Sequence, residues 1–222
     1  MFKNLSSSLV AIIGLALGLG LASGTAHAAK GQWSLGGNFG IGFYGMGQVN
    51  DTLKANGLDD IKDGIEYGGT LRYGIAPTKS LEVEANWLNG DSKTDILGTE
   101  LKINAKALAL PLNLLFQISE NDKYKLHFLI GAGPLLSTKI TQEAGGASDE
   151  TASKTSFMAQ GGFEGDMYLS PTVALTARAL GRYAKASDVD LNADDPADGS
   201  TDIDFSGASL SLGLRVFFGG TK

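Results

Sequence analysis

The chain has no cysteine, only two histidines and only five prolines among its 222 residues. Each scarcity closes a class of explanation. Without cysteine there is no disulfide framework, thiolate metal site or cysteine nucleophile, and two histidines leave little for imidazole catalysis. Basic residues are in deficit as well, 18 against 24 acids, for a net charge of −6. That balance argues against a nucleic-acid binder, whose affinity comes largely from neutralising phosphates with Lys and Arg. Glycine, by contrast, is abundant: 31 residues, about one in seven, roughly twice ordinary usage and without a collagen-like period. Glycine on that scale suits close backbone packing and many turns.

Residues 1–28 have the parts of a secretory signal: Lys3, an apolar stretch from Leu9 to Leu21, and the small-x-small site Ala26-His27-Ala28, with cleavage expected after Ala28. The apolar stretch is too short for a bilayer-spanning helix, which needs roughly 20 residues. The expected mature chain, residues 29–222, keeps one histidine, His127, and is of single-domain length. No stretch within it is apolar enough to span a membrane as a helix; the longest candidate, 107–118, contains Pro111, Asn113 and Gln117.

Instead the chain alternates with period two, the signature of half-buried strands. From Tyr124 to Leu136, Tyr124, Leu126, Phe128 and Ile130 share one face while Lys125, His127, Gly131 and Gly133 share the other. The same split recurs where Phe157, Phe163 and Met167 oppose Gln160, Glu164 and Asp166, and where Val173, Leu175 and Tyr183 oppose Thr176, Arg178 and Arg182. Eight such strands are expected, at 32–46, 63–76, 80–90, 101–118, 123–138, 154–169, 171–185 and 203–218. Their second, fourth and sixth links are tight, and the first, third, fifth and seventh are long and polar. An eight-stranded antiparallel up-and-down β-barrel, with short turns at one end and long loops at the other, has this rhythm, as in transmembrane barrels.

A soluble barrel would turn the apolar face inward, and Gly31-Gln32-Trp33 echoes the opening of lipocalins. Three features favour apolar-out. The polar face carries Glu66, Arg72, Glu82, Glu84, Lys125, Glu164, Asp166, Arg178, Arg182 and Arg215, five acids and five bases that can pair inside a narrow lumen. Aromatics gather near strand ends, with Trp33, Tyr73 and Tyr124 toward the short turns and Phe43, Tyr67, Trp87, Phe157 and Tyr183 toward the loops, as in two interfacial girdles. No helix or cysteine pair follows the last strand.

Several segments carry a family resemblance. Gly36-Gly37-Asn38-Phe39-Gly40-Ile41-Gly42, Gly68-Gly69-Thr70-Leu71-Arg72-Tyr73-Gly74 with Leu81-Glu82-Val83-Glu84-Ala85, Gly131-Ala132-Gly133 and the ending Leu212-Gly213-Leu214-Arg215-Val216-Phe217-Phe218 resemble the small outer-membrane β-barrel proteins of Gram-negative bacteria. That family includes the OmpA membrane domain, OmpX, OmpW and opacity-type proteins. Gly219-Gly220-Thr221-Lys222 depart from it, since the family usually stops at the aromatic. The resemblance implies an outer-membrane location, short periplasmic turns, long extracellular loops, contact with outer-membrane lipid and lipopolysaccharide, and recognition of the last strand by the assembly machinery.

Turn positions suggest that Arg72 lies opposite Glu84, and Glu164 opposite Thr176 and near Arg178. Such charges either lock the interior by pairing or line a narrow polar path; eight strands leave a lumen that side chains can just fill, which favours locking. His127 is the sharpest catalytic candidate, but it belongs to the periplasmic end, whereas the family's lipid A-modifying members combine His with Ser or an acid near the outer rim. Asp188, Asp190, Asn192, Asp194 and Asp195 form a candidate weak divalent site with one-three-five-seven spacing; Ala193 and Gly199 replace the Gly and Glu of a full calcium loop, which favours a hydrated acidic loop. No cofactor is expected. The expected function is a structural or surface-interaction barrel without catalysis, possessing loops that meet an extracellular ligand; the alternative is a narrow OmpW-like channel for small or apolar solutes. The four long loops hold 17 acids and six bases, so the acidity belongs to the loop end.

Overall fold

A computed structural model describes residues 30–55, 57–96, 99–144, 147–150, 153–190 and 200–219. The expected signal segment, residues 1–28, lies outside them. The described elements are β1 (Gln32–Tyr44), α1 (Gly47–Ala55), β2 (Asp63–Ala76), β3 (Lys79–Ile96), β4 (Thr99–Ala109), β5 (Leu112–Glu120), β6 (Tyr124–Ala144), β7 (Ala147–Glu150), β8 (Lys154–Ser170), β9 (Val173–Asp190), β10 (Ser200–Asp204) and β11 (Gly207–Gly219). Neighbours pair antiparallel, and β1 pairs both β2 and β11, so the first and last strands close a ring. β4 with β5, β7 with β8, and β10 with β11 each occupy one place, giving eight ring positions. Closure removes the open edges that would otherwise carry unpaired backbone groups into lipid.

The fourth ring strand is broken where Pro111 brings a residue without an N–H. Backbone bonding continues on either side: the Leu110 N–H donates to the Pro134 carbonyl at 3.0 Å, and the Glu84 N–H donates to the Pro111 carbonyl at 3.1 Å. A second irregularity is a bulge in β6, where Ser137 takes a positive φ of 51° and the inward-facing set passes from Leu135 to Thr138 and Ile140. Bulges change which residues of a strand face inward without ending the ladder.

Period-two alternation sorts the side chains by face. Leu35, Phe39, Ile41, Val83, Leu112, Phe163, Leu210 and Leu212 all stand exposed on the outside. An apolar belt of that extent is untenable in water and ordinary against lipid tails. The interior has two storeys. Toward the short turns it is charged; toward the loops it is apolar, built from Leu88, Ile103, Ala105, Leu135, Met158, Ile203 and Phe205.

The loop end departs from expectation in two ways. The segments expected as loops at 89–101, 139–154 and 185–204 are largely paired strand, since β3 and β4 stay in register out to Ile96 opposite Thr99, and β9 pairs β10. Pairing satisfies backbone groups above the membrane as well as in it, and the apolar–polar contrast of the belt is reversed there: Ile140, Ala186, Val189 and Ile203 are buried in the interior while Lys139, Lys185 and Asp202 lie on the outer side. Further, the first loop holds a helix. In α1, Val49 and Leu53, one turn apart, are buried and cover the outer mouth. The helix ends in a Schellman arrangement: Gly57, at φ 73°, donates to Lys54 O at 3.0 Å, and Leu58 donates to Leu53 O at 2.9 Å. Asn50 ties α1 to the returning chain, donating to Ile61 O at 2.9 Å and accepting from Ile61 N at 2.8 Å.

Candidate functional site in the barrel lumen

Inward positions of β2, β3, β8, β9 and β11 bring Arg72, Glu82, Glu164, Arg178 and Arg215 to one level of the lumen, all of them buried. Glu82 accepts from Arg72 at 2.7 Å, Arg178 at 2.6 Å and Arg215 at 3.0 Å. Glu164 accepts from the same three guanidinium groups: Arg178 at 2.6 Å, Arg215 at 3.1 Å and Arg72. Asp166 lies 3.5 Å from both Arg72 and Arg215 and accepts from Thr176 at 2.8 Å. Strands four places apart in a ring of eight face each other across it. The Arg72–Glu164 pair joins β2 to β8 and the Arg178–Glu82 pair joins β3 to β9, so each spans the diameter.

Uncharged amides extend this cluster upward. Glu84 accepts from Asn113 at 2.9 Å and Gln160 at 3.0 Å, and lies 3.3 Å from Arg178. Above them Arg182 grips Glu66 with two bonds, at 2.7 and 3.1 Å, while Asn86 donates to Glu66 at 3.2 Å. The Tyr44 hydroxyl donates to Glu66 at 3.2 Å, and its ring meets Phe205 edge-on at 5.0 Å. Three glycines shape the slot for that ring. A Cβ at Gly42 would overlap it, one at Gly64 would lie 2.7 Å from it, and one at Gly90 3.3 Å. Tyr44 thus closes the charged storey beneath the apolar one.

At the short-turn end Lys125 pairs Glu120 at 2.9 Å, and His127 Nδ1 lies 3.8 Å from Asp166. A cavity of about 10 Å³ lies beside them, lined by Ser34, Arg72, Ser80, His127, Asp166 and Tyr168 among others. That volume suits about one water molecule. His127, Glu164 and Asp166 bring ligand-type atoms within 4.8 Å of one another. Their chemistry does not suit a metal ion, because both carboxylates already serve guanidinium groups that a cation would have to displace.

Two expected facing pairs are corrected. Arg72 lies opposite Glu82, with Glu84 opposite Thr70. Glu164 lies opposite Arg178, and Thr176 opposite Asp166. The cause is local in both hairpins: the register shifts between Gly74 and Ala76, and between Tyr168 and Ser170, while Pro171 and Thr172 form the second turn. Of the acidic-loop residues, Asp188 and Asp190 end β9, and Asn192, Asp194 and Asp195 lie outside the described residues. Asp188 takes a positive φ of 52°, its N–H donates to Asp202 at 3.1 Å, and its carbonyl accepts from Lys154 at 2.7 Å.

The aromatic candidates stand on the outer face. Trp33, Phe43, Tyr67, Trp87, Tyr124, Phe157 and Tyr183 are exposed, and Tyr73 is half-buried beside Trp33, ring centroids 4.7 Å apart. Tyr67 and Trp87 stack at 5.7 Å.

A closed ring with an apolar exterior and a charged lower interior agrees with sequence comparison: a profile of the outer membrane protein beta-barrel domain matches residues 13–215. The chain belongs to this family. It is accordingly a protein of the cell outer membrane. No curated protein matches it in sequence. Among solved structures, this outer-membrane barrel is similar in fold to OprG from Pseudomonas aeruginosa, with TM-score 0.55 and 14% identity over 88% of this chain and 99% of that one. It is also similar to Ail, the attachment invasion locus protein of Yersinia pestis, with TM-score 0.50 and 16% identity over 85% and 99% of the two chains. Neisserial surface protein A gives TM-score 0.50 and 14% identity over 86% and 99%.

Proposed function

We propose that this outer-membrane barrel is a closed, non-catalytic scaffold that works through its extracellular end. The observation that carries the reading is the pair of salt bridges spanning the lumen, Arg72 to Glu164 and Arg178 to Glu82. Their carboxylates and guanidinium groups hold one another in place, so an ion passing through would have to break buried, hydrogen-bonded pairs at a cost of several kcal/mol. Above them Tyr44 and α1 seal the outer mouth. Catalysis at His127 lacks room, since its neighbouring cavity is about 10 Å³. In this reading residues 1–28 direct export, the last strand engages the assembly machinery, the two sets of aromatics anchor the barrel in the bilayer, and the acidic crown meets extracellular ligands.

The apolar storey favours a second reading, a narrow channel for small or apolar solutes, because Leu88, Ile103 and Met158 would welcome an apolar guest from outside. Swelling of liposomes containing the refolded protein separates the two. A scaffold leaves the swelling rate in sugars and amino acids equal to that of empty liposomes; solute-dependent swelling would establish the channel.

A further inference from the structure

The charges of the lumen leave one carboxylate over. Arg72, Arg178 and Arg215 donate among Glu82, Glu164 and Asp166, Arg182 donates to Glu66, and Lys125 is bridged to Glu120 at the short-turn rim. Among the buried carboxylates of the described residues, Glu84 alone accepts no guanidinium hydrogen bond; its donors, Asn113 and Gln160, are uncharged amides. Both donate to Oε2, and Arg178 Nη1 approaches that same oxygen at 3.3 Å. Oε1 is buried without a partner among the described residues. A carboxylate removed from water with one oxygen unserved is costly.

Three neutral oxygens nearby are in the same condition. Thr70 stands directly opposite Glu84, and Gly68, the next inward position along β2, stands opposite both Asn86 on β3 and Asn38 on β1. The Oδ1 atoms of Asn38 and Asn86 and the Oγ1 of Thr70 are all buried and without a partner among the described residues. Asn86 is fixed in that orientation because its Nδ2 donates to Glu66 at 3.2 Å. Gly68 lets the two amide oxygens converge: a Cβ there would overlap the Ala85 carbonyl oxygen and lie 2.9 Å from Asn86 Oδ1 and 3.0 Å from Asn38 Oδ1. The group lies between the salt bridges that span the lumen and the Glu66–Tyr44 pair above them.

Buried acceptors require a donor or a cation. One carboxylate with two amide carbonyls and a hydroxyl is an all-oxygen set of charge −1, which matches a hard monovalent cation; calcium takes about six to eight oxygens, commonly with several carboxylates. We propose that Asn38, Thr70, Glu84 and Asn86 hold an alkali-metal cation, sodium or potassium, inside the lumen. The ion supplies the positive charge that Glu84 lacks and ties β1, β2 and β3 together along the inner wall. The site is independent of what the crown contacts.

The test refolds the full mature chain from urea into liposomes in sodium, potassium or N-methylglucamine chloride at equal ionic strength, and compares the folded-to-unfolded ratio at one fixed urea concentration. N-methylglucamine is too large to sit among four side chains. For the wild-type chain the ratio is expected to be about tenfold higher in the alkali salt that binds, for an ion at about ten times its dissociation constant, and the order of sodium and potassium names the ion held. Glu84→Gln is expected to abolish the dependence, and Asp202→Asn, in the crown, to keep it. An equal ratio in all three salts would overturn the proposal without reference to any variant, since ordered water alone gives that result. Crystals of the chain refolded in thallium(I) acetate give a second readout. An anomalous peak beside Glu84 Oε1 is expected; a peak elsewhere only, or one that survives in Glu84→Gln, would overturn the assignment to these residues. Heat-shifted migration in gels verifies that each variant is folded.

Discussion

Glu164 concentrates the energetics of the lumen in one residue, because Arg72, Arg178 and Arg215 all donate to it. Removing its charge leaves three buried guanidinium groups short of a carboxylate, and loss of one partner from a buried pair costs about 3–5 kcal/mol. Glu164→Gln is therefore expected to lower the urea midpoint of the barrel in liposomes, and adding Arg178→Met to restore part of the loss; a single variant as stable as the wild type would contradict this. Tyr44 gives a second case. Tyr44→Phe loses a hydrogen bond to a charged group, about 1.5–3 kcal/mol, whereas Gly64→Ala forces a Cβ into the Asn89 carbonyl and the Tyr44 ring. Overpacking of that kind costs about 1–3 kcal/mol, so both variants are expected to unfold at lower urea. At this scale the alternation made the inward charges legible, along with the face of Gln160, while Asn86 and Asn113 joined the inward set only in the structure. The tyrosine was not legible, since an inward aromatic reads as an outward one displaced, and only the three glycines around its ring make the slot.

Among elements, α1 is tied to the returning chain through the side chain of Asn50. Asn50→Ala removes both bonds to Ile61 and leaves a buried backbone N–H without its acceptor. Hydrogen exchange is expected to accelerate in 47–61 while the ring strands stay protected; unchanged exchange there would mean that packing of Val49 and Leu53 and the bond from Asp202 N–H to Gln48 suffice to hold α1. The β9–β10 hairpin carries a pH response. The hydrogen bond from Lys185 holds the Asp202 carboxyl below its usual range, and Asp202 in turn raises Lys185. A depressed carboxylate contributes stability above its unfolded pKa, about 4, and loses it as pH falls through the folded value. Protease cutting between Ser187 and Asp204 is expected to rise below about pH 4, and the rise to be smaller in Asp202→Asn. The helix was not legible in the sequence because nine residues with two apolar anchors carry a weak period. The crown hairpins were missed because their outward residues are polar and rich in turn formers, and their inward apolar residues are few and interrupted by the bulges at Ser137 and Asp188.

For the whole molecule, closure was legible from the rhythm of short and long connections, which fixes an up-and-down ring before any contact is known. Which charges meet across the ring was not. Facing across a diameter depends on the stagger of all eight strands, and each irregularity, such as those at Gly74–Ala76, Ser137 and Tyr168–Ser170, shifts the inward set or its partners by a residue. The result is a barrel with an apolar exterior, a charged lower interior and an apolar upper interior. Single-channel recording of the refolded mature chain in planar bilayers tests closure of the lumen most directly. A lumen locked by Arg72–Glu164 and Arg178–Glu82 predicts baseline current in symmetrical salt at either polarity; steady openings whose ion selectivity changes in Arg178→Met or Glu164→Gln would contradict it.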